Sequence, residues 1–166
     1  MGPEASRSVA DAVDPDVDLQ VPRQRRVWGE HPLAVLGSIS VGGVAGALAR
    51  YGLSEVFPRV PGGWPWATWV VNVVGCLLIG VLMVLISEVW TGRRLLRLFL
   101  GVGVLGGFTT FSTATVEVQQ LVAESAARLG LLYLVGTVAA AMIAVITGSG
   151  VTRWALFMVG RLRRRS

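Results

Sequence analysis

The stretch Gly106-Gly107-Phe108-Thr109-Thr110-Phe111-Ser112-Thr113 sits in the middle of an uncharged run from Leu98 to Val116. Two adjacent glycines followed by four hydroxyl residues interleaved with aromatics make a poor uninterrupted helix. Glycine adds backbone entropy, and Ser or Thr offers the backbone competing hydrogen bonds. The stretch predicts a helix that breaks at its centre. Unwound backbone at membrane depth is tolerated only where protein buries it or an aqueous cavity meets it, and there its freed carbonyls can hold a cation. The alternative is a small-residue packing face, since Gly103 and Gly107 form a GxxxG pair.

Around this stretch the composition bounds the class. Of the residues 53% are hydrophobic and 15% charged, and the mean hydropathy is +0.63. These values indicate a membrane protein and not a soluble domain with one large core. The net charge is +5 and all 15 basic residues are arginine. The arginines cluster at the ends of apolar runs, where a lipid headgroup layer is a simpler partner than nucleic acid, which is rejected. The single cysteine, Cys76, lies within an apolar run, so no internal disulfide can form and it reads as a small packed side chain. The single histidine, His31, has no companions that could build a metal site.

Residues 1–32 hold five acidic residues before Leu19, three prolines by Pro22, and Arg23, Arg25 and Arg26. They read as a disordered cytoplasmic tail with a basic stop and without the apolar core of a signal peptide. Four spans follow, at about 33–54, 66–88, 98–117 and 129–152, within a domain over 33–152. Residues 153–166 form a basic cytoplasmic tail, either an extended helix end or an interfacial segment. Four spans put both termini and the second-to-third loop on one side. Leaving out Arg7, that side carries 11 arginines against Arg50, Arg59 and Arg128 on the other, so both termini are expected in the cytoplasm.

Among the polar residues inside the spans, Thr68, Asn72, Ser112, Thr113, Tyr133 and Thr137 are neutral donors. Thr68 and Asn72 share a helix face at a spacing of four, as do Tyr133 and Thr137, with Ala141 continuing the row. Asn72 lies deep enough that an unpaired amide would be costly, so interhelical bonding is its simplest structural use. Neutral donors suit a small anion, because they replace hydration water without holding the ion too tightly to leave. The positive edge of a phenylalanine ring adds a weak contact, and Arg50 would concentrate anions at a vestibule. A snorkelling arginine is the competing reading for Arg50. Physics alone reaches a polar-lined, anion-permeable bundle without naming the ion.

The runs GGVAGALARY (42–51), TWVVNVVG (68–75) and GGFTTFST (106–113) closely resemble the CrcB or Fluc family of fluoride channels, in the same order on the first three spans. The Tyr133 to Thr137 pair resembles the polar row of the fourth, so the likeness covers about residues 33–150. It implies an all-α membrane protein of four transmembrane helices, the third broken at its centre, in an antiparallel dimer of dual-topology type. Two narrow pores would pass fluoride out of the cell passively, around a structural sodium ion that is not transported. Carried over by motif, the carbonyls of Gly106 and Thr109 would bind the sodium, Asn72 would donate to fluoride, and Phe111 would offer its ring edge. Thr68, Ser112, Thr113, Tyr133 and Thr137 would form or flank the polar track, and Arg50 would be the vestibule arginine. Glu117 matches a carboxylate near the pore mouth, although taken alone it reads as a solvated helix-end charge.

Two departures from the family pattern matter. TTFSTF appears here as TTFSTA, with Ala114 where a second pore phenylalanine is expected, and Ala141 stands where a hydroxyl is frequent. A homodimer would then lack one ring in both pores, whereas an oppositely oriented paralogue could complete one of them. The arginine bias points the same way, since a homodimer needs the chain to insert in both orientations. A non-conducting assembly subunit is a further reading of Ala114. A small multidrug-resistance antiporter would need a titratable carboxylate deep in the bundle, and Glu55, Glu88 and Glu117 fall at run ends. No nucleophile, base or metal-ligand constellation points to an enzyme.

Overall fold

The computed structural model describes residues 32–90 and 93–163. The expected N-terminal tail, apart from Pro32, and the last three residues lie outside them. Every regular element among the described residues is helical: α1 (Pro32–Val56), α2 (Trp66–Glu88), α3 (Arg94–Arg97), a π-helix (Leu98–Leu105), α4 (Gly106–Phe108), α5 (Phe111–Ala123) and α6 (Ala127–Arg163). Among the described residues four stretches are long and apolar enough to cross a membrane, namely α1, α2, Arg94–Ala123 and Ala127–Arg161. The chain is a multi-pass membrane protein.

Glycines decide how these helices meet. Lipid tails are as apolar as leucine, so helices in a bilayer associate through close backbone approach rather than through hydrophobic exclusion. Gly42 and Gly46 on α1 face Gly103, Val104 and Phe108, and a methyl group added at Gly46 would collide with the Val104 carbonyl oxygen. Gly107 meets the Gly43 carbonyl oxygen in the same way. The two GxxxG pairs of the sequence therefore cross one another. α2 packs along α6 on the same device: Gly80 abuts the Val145 carbonyl and Gly148 abuts the Leu77 carbonyl.

The side-chain core is small. Tyr133, Leu121 and Ala114 are buried together, with Trp64, Trp69 and Leu129 packed on them. Large apolar side chains instead cover the outside, among them Val41, Val44 and Leu48 on α1 and Leu131, Val135, Met142 and Ile146 on α6. That inversion suits a lipid surround.

At one end the α1–α2 loop is tied to the α5–α6 connection. Gly62, in the left-handed region at φ +67°, donates its N–H to Glu124 Oε2 at 2.6 Å, and Arg59 donates to Oε1 at 3.0 Å. The Gly62 N–H, with Arg59 beside it, holds the Glu124 carboxyl below its ordinary value of 4.5.

Several helix ends lie beyond the span limits read from the sequence. The third helical stretch starts at Arg94, not 98, and α5 runs past Glu117 to Ala123. The fourth helix runs on to Arg163, in keeping with the extended helix end that was one of the two readings of the C-terminal segment, and Arg153 Nε lies 3.6 Å from Glu88 Oε1. The π-helix was not anticipated. Such segments widen the helical turn and recur at functional sites, and this one leads directly into Gly106.

Candidate functional site

Two residues in extended conformation, Thr109 (φ −75°, ψ 154°) and Thr110 (φ −152°, ψ 123°), separate α4 from α5. Thr110 then caps α5: its hydroxyl oxygen accepts the Thr113 N–H at 3.2 Å, as an N-terminal threonine does for the first free donors of a helix. Asn72, on α2, closes on Thr110 from the side. Its Nδ2 donates to the Thr110 carbonyl at 2.8 Å, and its Oδ1 accepts the Thr110 N–H at 2.9 Å. The side-chain amide thus takes the place of a peptide group, supplying the bonds that extended backbone would otherwise lack.

The same bonds release two carbonyls. In a continuous helix the Thr110 N–H would bond to the Gly106 carbonyl and the Thr113 N–H to that of Thr109. Here the first goes to Asn72 and the second to the Thr110 side chain. Gly106 is exposed, and nothing lies within 4 Å of where its Cβ would stand.

Two grooves of about 250 Å³ each flank the interruption. One gathers Asn72, Thr109, Thr110, Phe111, Tyr133 and Thr137, with Cys76, Ala114 and Ala141 completing the wall. The other holds Arg50, Tyr51, Ser54, Thr68, Thr110 and Thr113. Thr110 belongs to both. Phe111 stands 74% exposed, its ring turned outward from this subunit.

Glu117 joins the two grooves from within. Thr68 donates to its Oε1 at 2.7 Å and Tyr133 to its Oε2 at 2.8 Å, one hydroxyl from each groove. It is only 9% exposed and lies inside α5, so the expectation of a solvated helix-end charge is corrected. Two hydroxyl donors that satisfy both carboxyl oxygens make burial tolerable. Nor does Glu117 share a groove with Arg50. Trp64 covers this cluster with its ring edge-on to Tyr133, 5.3 Å between centroids and 83° between planes, and its indole N–H is buried with no partner among the described residues.

The polar row is less open to an anion than the sequence suggests. Thr68 and Tyr133 point their hydrogens at Glu117, and Thr137 donates to the Tyr133 carbonyl one turn back at 2.6 Å. The second hydrogen of the Asn72 amide and the Thr113 hydroxyl hydrogen remain, since Thr113 Oγ1 accepts from Thr110 at 3.0 Å. Ser112 is exposed and within 3.3 Å of the Thr110 hydroxyl. Sequence reasoning passed over Thr110, which organises the interruption, and Trp64. A threonine immediately before an apolar helical run is an N-terminal signal that could have singled out the first. The second had no signal in the chain.

A family model described as CrcB-like protein, Camphor Resistance (CrcB), matches residues 38–149. Over 122 residues the chain is 56% identical to a Nocardia farcinica protein named fluoride-specific ion channel FluC 2, covering 74% of this chain and 87% of that one. It is 45% identical over 124 residues to a Streptomyces avermitilis protein of the same name, covering 75% and 78%. A FluC 1 protein of Streptomyces coelicolor is 50% identical over 111 residues, covering 67% and 72%. The matched region runs from within α1 to within α6 and contains the interruption, both grooves and the carboxyl between them. The chain belongs to the CrcB family.

Proposed function

We propose that this chain is a subunit of a fluoride-specific channel that lets fluoride leave the cell passively, lowering its toxicity. The family and the names of its relatives carry the choice of ion. The arrangement at Asn72, Thr110 and Phe111 carries the choice of path. A passing fluoride exchanges hydration water for the second Asn72 N–H and the positive ring edge of Phe111 in one groove and for the Thr113 hydroxyl in the other, on either side of Thr110, which lines both. Glu117 stays out of that exchange because Thr68 and Tyr133 occupy both its oxygens. Arg50, at the second groove, raises the local anion concentration. With Glu117 buried, the carboxylate argument against an antiporter weakens, and the family decides against that reading instead.

The residues present fit a structural sodium ion. Gly106 and Thr109 offer hard oxygen donors whose helical partners are bonded elsewhere, and the open space beside Gly106 leaves room for approach. When bound, the ion would supply positive charge that offsets the mutual repulsion of those carbonyl oxygens and takes the place of their helical N–H partners. Assembly with a second, antiparallel subunit is supported by the outward ring of Phe111 and by the exposed Gly106. An oppositely oriented paralogue is favoured, with both termini of this chain cytoplasmic. Ala114 leaves the groove wall without a second phenylalanine ring, and Streptomyces avermitilis holds two numbered relatives, FluC 2 and FluC 3.

Fluoride efflux from liposomes, read with a fluoride-selective electrode, tests the proposal. The assembled channel is expected to release fluoride and retain chloride; equal release of both would overturn the choice of ion. Full selective flux from the chain alone would remove the need for a paralogue. Ala114 also favours a passive assembly subunit as second reading. Replacing Asn72 and Phe111 in the coexpressed pair separates the two, since a passive subunit tolerates both changes.

A further inference from the structure

Between α2 and the π-helix lies an apolar slot with arginines at one end. On α2, Leu78, Val81, Leu82 and Leu85 recur at spacings of three and four, so they share one helix face. On the π-helix, whose turn closes five residues on, Leu100, Val104 and Leu105 share a face by spacings of four and five. The two faces wall a groove of about 190 Å³, and Trp90, just past the end of α2, completes it. From Glu88 to Leu78 is about 15 Å of helix, the depth of one leaflet in a hydrocarbon layer about 30 Å thick. Spread over that length, the volume amounts to a section of about 13 Å², whereas a helix about 10 Å across needs about 80 Å². A single hydrocarbon chain suits such a slot, and a partner helix does not.

The end near Trp90 is cationic. Arg93 and Arg97 stand four apart and Arg94 and Arg97 three apart, and Leu100, three past Arg97, carries their row into the groove wall. The Arg93 N–H donates to the Trp90 carbonyl at 3.1 Å, which keeps this row at the end of the groove that Trp90 lines. Among the described residues none of the three arginines has a carboxylate partner, and Glu88, the acidic residue at this end, lies 3.6 Å from Arg153 instead. A second copy laid alongside in parallel would bring the same arginines together.

We infer that the slot between α2 and the π-helix seats one acyl chain of an anionic phospholipid, whose headgroup phosphate rests on Arg93, Arg94 and Arg97. A guanidinium presents a fork of donors that matches phosphate oxygens, and basic residues next to a spanning helix attract anionic lipid. Trp90 stands at headgroup level, where tryptophan is enriched. The far end of the chain then reaches Leu105, the residue before Gly106, and fills the side of the π-helix away from α1. The inference does not depend on which ion the channel conducts.

The test is native mass spectrometry of the assembled channel, built from the full chain and released from detergent, with phosphatidylglycerol or phosphatidylcholine added in steps. Retention of a single phosphatidylglycerol per chain is expected at about tenfold lower lipid concentration than retention of phosphatidylcholine. Changing Arg93, Arg94 and Arg97 together to glutamine is expected to bring the two lipids level, and changing them to lysine to keep the preference. Val104→Phe and Leu78→Phe, which fill the slot from opposite walls, are each expected to remove the retained phosphatidylglycerol with all three arginines in place. The same spectra report the mass of the assembled channel, so a variant that fails to fold is recognised, and the other phenylalanine change then carries the comparison. Equal retention of both lipids by the unmodified channel, a preference surviving the glutamine changes, or retention undiminished by filling the slot would each overturn the inference. So would a channel that retains no lipid because a second subunit closes the slot, or release of the phosphatidylglycerol by an equal concentration of glycerol 3-phosphate, which has the phosphate without the chains.

Discussion

Replacing Asn72 by alanine should both destabilise the bundle and close the interruption in its third helical stretch. The change removes two hydrogen bonds, 2.8 and 2.9 Å long, and leaves the N–H and C=O of a buried residue, Thr110, unpaired. An unsatisfied buried group costs about 1–3 kcal/mol, so the two together would cost about 2–6 kcal/mol if the backbone stayed in place. A cheaper outcome is open to the chain. The released Thr110 N–H can return to the Gly106 carbonyl, restoring a helical bond and withdrawing one oxygen from the proposed sodium site. Stability of the purified assembled channel is therefore expected to fall by about 2 kcal/mol or more in detergent unfolding. The extra stability that sodium confers over a large organic cation should shrink along with fluoride efflux. Asn72→Asp keeps an acceptor for the Thr110 N–H but opposes an oxygen to the Thr110 carbonyl, so it should rescue only part of the loss. If Asn72→Ala unfolded within about 0.5 kcal/mol of the unmodified channel and kept its sodium response, the amide would not be what holds Thr110 extended.

Three further expectations follow from contacts elsewhere. Gly46→Ala should destabilise the channel by about 1–3 kcal/mol in the same unfolding assay, because its methyl group meets the Val104 carbonyl oxygen, while Gly52→Ala, with nothing within 4 Å, should be neutral or slightly stabilising. Glu117→Ala should cost about 2–4 kcal/mol by leaving the Thr68 and Tyr133 hydroxyls without acceptors, and Glu117→Gln should retain more of both stability and flux; equal behaviour of the two would refute the network. Glu124 carries a lowered folded pKa, so its clasp contributes stability above the unfolded carboxylate value and loses it as pH falls through the folded one. The thermal stability difference between the unmodified channel and Glu124→Gln should accordingly narrow on acidification below about pH 4.5 and be constant near neutrality.

Much of this was legible because membranes simplify the reading of a sequence. Long uncharged runs mark spans, and the starts of α1 and α2 lie within a residue of where those runs begin. Charge was the weaker guide at the other ends. Arg153 and Glu117 looked like boundaries, yet each has a partner distant in sequence, Glu88 in one case and the pair Thr68 and Tyr133 in the other. Hydrogen-bond direction was hidden for the same reason. That Asn72 lies deep could be read from its run, but not that it faces one particular threonine 38 positions later. The family motifs singled out Asn72, Phe111 and Gly106 without indicating that Thr110 connects them. Propensity placed trouble in the Gly106 to Thr113 stretch, while the choice of Thr109 and Thr110 as the extended pair depends on the amide and on a cap within α5.

The crossing of α1 over the π-helix and α4 has a consequence for motion. Where Gly43 meets Gly107, and Gly46 meets Val104, main chain touches main chain, with no rotamer between them to yield. Side chains act as cushions in most helix pairs; this joint has none. Arg50, one turn beyond Gly46, is thereby held at a set span from the threonines that follow Gly107, like one jaw of a caliper whose screw has been removed.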